Sequence, residues 1–149
     1  MSQEIVTVEP VHSEVLEALH KRCFETAWSA EAFINLLNTP RTYGFLSLTD
    51  NTPNGFILLR SAAGEGEILI IGVDPASRRQ GLAAHLLAAG ENEARERGSE
   101  KLFLEVADDN QAAIAFYRRE GFKKTGRRPK YYKRPDGSRA DALIMSKVL

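Results

Sequence analysis

A single cysteine, Cys23, stands in a chain of 149 residues. One thiol cannot close an internal disulfide, which excludes the disulfide-stapled secreted scaffolds. No apolar run approaches the roughly 20 residues that cross a bilayer. The opening segment, MSQEIVTVEP, lacks a basic stretch followed by an apolar one, so no signal peptide is read there. Three histidines, His12, His20 and His85, are scattered and make no metal-ligand pattern. An excess of either charge is also missing: 20 Lys+Arg balance 20 Asp+Glu, so no global field draws the chain to nucleic acid or membrane. The expectation is a cytoplasmic protein with no metal, no membrane contact and no direct nucleic-acid contact.

What remains is ordinary globular material, 43% apolar and 27% charged. The length fits one domain, residues 1–149, able to bury a real core. Ile5, Val6 and Val8 start a strand that stops at Pro10. Val15, Leu16, Leu19 and Cys23 then recur at helical spacing, with Cys23 as a small core residue and His12 and His20 on the solvent side. Ser29 is an N-cap for a second helix to about Asn38, burying Phe33, Ile34 and Leu37. Trp28, just before the cap, is either a packing staple or an aromatic wall of a substrate cleft.

Residues 42–48 and 55–60 read as two strands joined by turn chemistry, Thr49 to Gly55. A strand over 67–73 and a helix from about Gly81 to Gly98 follow. KLFLEV, 101–106, is the next strand. Asp108-Asp109-Asn110 caps a helix over 111–120, closed by Gly121. Phe122 begins a strand that fades in the basic stretch Arg127-Arg128-Pro129-Lys130-Tyr131-Tyr132, and ADALIMSKV is the last strand. The order βααβββαβαββ predicts an α/β (α+β) domain, a mixed sheet of about seven strands with about four helices on its two faces.

The most informative stretch is the end of the 67–73 strand. IGVDP runs into Arg78-Arg79-Gln80-Gly81-Leu82-Ala83-Ala84, and a helix begins at once. The first turn of a helix leaves N–H groups unpaired at its positive end, which suits a phosphate. Gly81 has no Cβ and lets backbone approach a ligand, and Arg78 and Arg79 add charge. No Gly-Lys-Ser/Thr follows, so this is no Walker loop.

The spacing R-x-x-G-x-A resembles the pyrophosphate loop of the GNAT superfamily of acetyl-CoA-dependent N-acetyltransferases. A second block, Asn110-x-x-Ala113-Ile114-x-Phe116-Tyr117-x-x-x-Gly121-Phe122, resembles a further GNAT segment in the expected order. Ala27-Trp28-Ser29, the IGVDP–RRQGLA block, Leu104-Glu105-Val106, Arg127-Arg128-x-x-Tyr131-Tyr132 and Asp141-Ala142-Leu143-Ile144-Met145 extend the similarity, over nearly the whole chain, to the RimI family of ribosomal-protein-alanine N-acetyltransferases. Ala83 stands where a second glycine is common, and Ala27 where a proline often precedes Trp-Ser. The resemblance implies the GNAT fold and acetyl-CoA as co-substrate. It implies a protein N-terminus, that of a ribosomal protein, as acceptor.

It also implies roles. Residues 78–84 would hold the pyrophosphate. Backbone of Ile71, Gly72 and Val73 would pair with the pantetheine arm, and the Val73 N–H would face the oxyanion. Asn110 would bind the same arm, although helix capping alone explains it too. Glu105 sits in an otherwise apolar strand, where an unpaired carboxylate is costly and poised to take a proton. The alternative is an ion pair with an arginine; the family carries its base at this place, and Glu67 is the runner-up. Tyr117 matches the family's proton donor, against simple packing. Tyr131 and Tyr132 would line the acceptor cleft. The basic tail from Arg118 to Arg139 is either a solvated face or a docking surface. Two other functions remain open at this point: a GNAT enzyme for a small amine (a polyamine, aminoglycoside or amino acid), and a non-catalytic acetyl-CoA-binding module.

Overall fold

A computed structural model describes residues 2–24 and 28–149. Ala27 therefore lies outside the described residues. The elements run β1 (Gln3–Thr7), α1 (Ser13–Cys23), α2 (Ala30–Leu37), β2 (Thr42–Thr49), β3 (Thr52–Ala62), β4 (Glu65–Val73), α3 (Leu82–Glu96), β5 (Lys101–Ala107), α4 (Gln111–Arg119), β6 (Lys123–Lys133) and β7 (Arg139–Val148). This is the expected order, in one seven-stranded sheet ordered β1-β2-β3-β4-β5-β7-β6. Every neighbouring pair is antiparallel except β4 and β5. No helix of the described residues is long and apolar enough to cross a membrane.

The apolar run in β3 makes it the central strand. Phe56 and Leu58 face Leu16 and Leu19 of α1 and Phe33 of α2, while Ile57 and Leu59 face Leu86, Leu87 and Ala94 of α3. All four β3 side chains are fully buried. Each contributes about 1.5–3 kcal/mol of apolar transfer relative to exposure, so helices are held on both faces. Ile114 and Tyr117 of α4 join the α3 side.

The β2–β3 hairpin turns more tightly than the composition suggests. Thr49 pairs with Thr52, and Asp50 and Asn51 both take positive φ. That is the two-residue turn whose twist matches a hairpin.

One irregularity positions the site. Between β3 and β4 the register shifts: Leu58 faces Ile70 but Leu59 faces Ile68, so Leu69 is an extra residue. A bulge bends its strand and sharpens its twist. Beside it, β4 pairs with β5 only from Glu65 to Glu67. Beyond that point the two strands part, and a fork opens in the middle of the sheet.

β6 departs from expectation. It does not fade at Arg127 but continues to Lys133, with a register break between Arg128 and Tyr132 and φ of 51° at Lys130. Asp141 explains the continuation. It accepts from Arg127 at 2.7 Å and from the Lys130 N–H at 2.8 Å, which ties the polar segment to β7.

Candidate active site

The fork is the mouth of a cleft of about 760 Å³. One wall is β4, residues 68–71, whose edge faces no strand here; the other is β5, residues 104–107. Asn110, Ala113 and Tyr117 of α4 close one side. Tyr132, Lys133 and Arg134 from the end of β6, and His20, Phe24 and Trp28 from the α1 side, complete it.

At one end stands the N-terminus of α3. Gly81 is its N-cap, with φ of 74° and no side-chain cap, and the first turn carries no acidic residue. An added Cβ on Gly81 meets nothing within 4 Å, so the approach is open. The N–H groups of Leu82, Ala83 and Ala84 have no intrahelical acceptor at that end. Arg78, Arg79 and Gln80 precede them, with Arg79 also at positive φ of 66°. Arg78 Nε donates to the Val73 carbonyl at 3.3 Å, which ties this turn to the end of β4. Asp74 sets the entry: its carboxylate accepts from Ala76 N–H and pairs with Arg22 of α1 at 2.9 Å.

Glu105 lies in the fork, its side chain 15% exposed. The ion-pair reading holds for one of its two oxygens. Oε1 pairs with Arg128 at 3.1 Å, whereas Oε2 is buried with no hydrogen-bond partner among the described residues. Arg128 in turn lies over the Tyr131 ring, 4.9 Å from its centroid. Glu67 is elsewhere: it pairs with Arg60 at 3.5 Å and does not line the cleft.

Tyr117 lines the cleft and is 5% exposed, in edge contact with Phe116 and Phe122. Burial pushes its phenol well above the usual tyrosine value, so it stays protonated. Asn110 caps α4, its side-chain oxygen accepting from Ala113 N–H at 3.2 Å, and it also reaches the cleft. Tyr132 lines the cleft, with burial first and the Glu105 charge second pushing it up to about 12. Tyr131 does not line it: this residue is 49% exposed and packs edge-on against Tyr132. On β4 the lining includes Ile71 but not Gly72 or Val73.

Three features escaped the sequence. His20 is 2% exposed rather than on the solvent side. It stands one turn after Leu16 on the α1 apolar stripe, the signal that places it inward. Arg134 caps the rim by pairing with Asp109, whose carboxyl it holds below the usual range. Arg127 bridges Asp108 and Asp141, so part of the basic tail is spent inside the fold.

Comparison with known proteins decides the family. The family model described as Acetyltransferase (GNAT) family matches residues 13–122. The chain belongs to the GNAT acetyltransferase family. It is 36% identical over 129 residues to the ribosomal protein bS18-alanine N-acetyltransferase of Escherichia coli K12, covering 86% of this chain and 85% of that one. The crystal structure of the Escherichia coli ribosomal-protein-alanine N-acetyltransferase superposes with a TM-score of 0.90 at 31% identity, over 99% of this chain and 94% of that one. Arabidopsis thaliana NAA60 in complex with acetyl-CoA shares the fold, with a TM-score of 0.87 at 18% identity over 99% of each chain. This GNAT domain is an acetyl-CoA-dependent N-acetyltransferase.

Proposed function

We propose that this enzyme transfers the acetyl group of acetyl-CoA to the α-amine of a protein N-terminus, that of a ribosomal protein. The observation that carries the reading is the Glu105 carboxylate, with a buried, unpartnered Oε2 in the fork of the sheet. Support for the acceptor comes from the 36%-identical relative, named for acetylating the alanine of ribosomal protein bS18.

The residues present fit acetyl-CoA. The uncapped start of α3, with Arg78, Arg79 and Gln80 before it, suits the pyrophosphate. The free β4 edge at Ile71, Gly72 and Val73 suits an amide-bearing arm that pairs as a strand does. The Val73 N–H is the donor assigned to charge developing on the carbonyl oxygen. Asn110 is spent as a helix cap in part, and its place in the cleft leaves a contact to the arm open to it. Bound there, acetyl-CoA supplies an activated thioester carbonyl.

The chain's own chemistry is proton management. An N-terminal amine has a pKa of about 7.7–8, so roughly a tenth or more is neutral near pH 7. A lysine amine at about 10.4 is neutral only about once in 2,500, a deficit of about 4.6 kcal/mol. One modest base suffices for the first, and Glu105 takes that proton at Oε2, directly or through a water. Tyr117 donates to the departing sulfur, since burial keeps its proton in place. Trp28 and Tyr132 flank the acceptor, with Tyr131 behind Tyr132. The charged groups of the cleft are Glu105, Asp109, Lys133 and Arg134, and both carboxylates already face arginines. Such a cleft offers little to a polycationic small amine.

The test is thiol release from acetyl-CoA with a peptide bearing an N-terminal alanine, against the same peptide blocked at its N-terminus but carrying a free lysine. Turnover confined to the free N-terminus is the expected result. Acetyl-CoA binding with no turnover on either peptide removes the reading and directs the search to small amines.

A further inference from the structure

α1 and the start of α2 are joined through two side chains on one face of α1. Glu17 accepts from the Ala30 N–H at 2.7 Å, and His20 Nδ1 accepts from the Trp28 N–H at 3.1 Å. They sit three residues apart, one turn along the helix, so both reach the same segment. Both satisfy backbone donors at the entry to α2 that have no helical partner. Ser29 then caps Ala32 N–H at 3.1 Å.

The two pins differ in one respect. Glu17 holds the backbone and nothing else of the cleft, whereas His20 is itself part of the cleft wall. Its ring stacks on the Trp28 indole, with centroids 5.1 Å apart and planes inclined by 22°. It also meets Phe24 at 4.7 Å and the buried Phe33 at 5.7 Å. A phenylalanine would fill this space and stack as well. It could not accept the Trp28 N–H. Accepting at Nδ1 requires a neutral ring with its proton on Nε2, because a doubly protonated imidazole has no lone pair to offer.

We propose that His20, as the neutral Nε2–H tautomer, is a positioning residue that fixes Trp28 as the acceptor-side wall of the cleft and so sets acceptor affinity rather than the chemical step. This rests on the reading of Trp28 as part of the acceptor side. His20 takes no proton from the amine and touches no reacting atom. It acts through the indole, because its Nδ1 sets where the backbone that carries that side chain lies.

The experiment compares wild type with His20→Asn, His20→Phe and Glu17→Gln. Acceptor KM, acetyl-CoA KM and kcat are measured, together with thermal stability. Asn keeps an acceptor atom close to the Nδ1 position and cannot be protonated; Phe keeps the ring and loses the acceptor. A net hydrogen bond contributes about 0.5–1.5 kcal/mol, which at its upper end is about tenfold in affinity. His20→Phe is therefore expected to raise acceptor KM about tenfold, with kcat and acetyl-CoA KM within about twofold. His20→Asn is expected to recover most of that KM. Glu17→Gln, the pin without a cleft contact, is expected to change stability and leave acceptor KM in place.

Unchanged acceptor KM in His20→Phe overturns the proposal, as does an equal rise in acetyl-CoA KM or a failure of Asn to recover. Should His20→Phe not fold, nitrogen chemical shifts of the wild-type histidines decide: a proton on Nδ1 of His20 also overturns it. If wild type ignores the alanine peptide, the reading of the acceptor fails separately, and the same variants are compared on the amine that wild type does acetylate.

Discussion

Replacing Glu105 by glutamine removes a base while keeping its shape. The amide oxygen still faces Arg128, and Arg128 is 54% exposed, so its charge remains solvated when the partner is neutralised. A pair of that kind contributes about 0–1 kcal/mol, and the fold should survive with little loss of thermal stability. The catalytic loss should be far larger. A positioned general base contributes about 10²–10⁴-fold. The lower end applies here, because an N-terminal amine is already neutral to about one part in seven at pH 7. Glu105→Gln should therefore lower kcat/KM for an alanine peptide about 100-fold at pH 7, measured as thiol release with acetyl-CoA saturating. The deficit should also shrink with pH. At pH 9 more than nine-tenths of the amine is neutral, about a sevenfold gain that the variant receives in full. Wild type gains less, since it can take the proton from the bound ammonium. Activity within about threefold of wild type at pH 7, or a deficit that does not narrow by pH 9, refutes the assignment of Glu105 as base.

Tyr117→Phe should lower kcat about tenfold with acetyl-CoA KM within about twofold, because a thiol near 8.5 is already a fair leaving group and the acid assists it only in part. Burial raises the Tyr117 phenol, so wild-type kcat should not fall on the alkaline side up to pH 10; an alkaline limb lost in Tyr117→Phe, with its midpoint below 10, contradicts that placement. Gly81→Ala meets no atom within 4 Å but must hold φ of 74°, a strain of about 1–2 kcal/mol. It should raise acetyl-CoA KM several-fold and leave acceptor KM alone, and equal effects on both would disprove an anion site at this turn. Burial lowers the pKa of His20 in the folded state, so the folded chain binds its proton less readily than the unfolded one. That contribution to stability is complete above about pH 6.5 and is lost as pH falls through the lower folded value. Thermal melts of wild type should show that decline, and His20→Asn should lack it.

Much of the fold was legible because local signals agreed with one another. Ser29 and Asn110 cap the helices they were expected to cap. Gly81 stands at the start of α3, as expected of a glycine turn running straight into a helix. The element order, and with it the mixed sheet, followed from periodicity and turn residues that each act over a few positions. The family was legible for the same reason, since each of its two blocks is a short continuous run of the chain.

The tertiary structure decided what depends on partners far apart in sequence. Nothing in the run from Ile68 to Val73 announces that Leu69 is an extra residue, because a bulge exists only relative to the strand opposite, and it is the bulge that accompanies the parting of β4 from β5. Glu105 could be read as base or as ion-pair partner. The fold brings Arg128 to one oxygen from β6, across the intervening strand β7, and leaves the other oxygen buried without a partner among the described residues. Tyr131 and Tyr132 are adjacent and chemically alike, yet only Tyr132 enters the cleft, at the point where β6 resumes its pairing with β7 after a register break. His20 had a helical position that permits burial, but its partner, the backbone N–H of Trp28, became visible only when α1 and α2 were packed together. Local signals in the chain were enough for the elements, their order and the chemistry available. Which of those groups meet, and which are left unpaired to react, is a property of long-range packing.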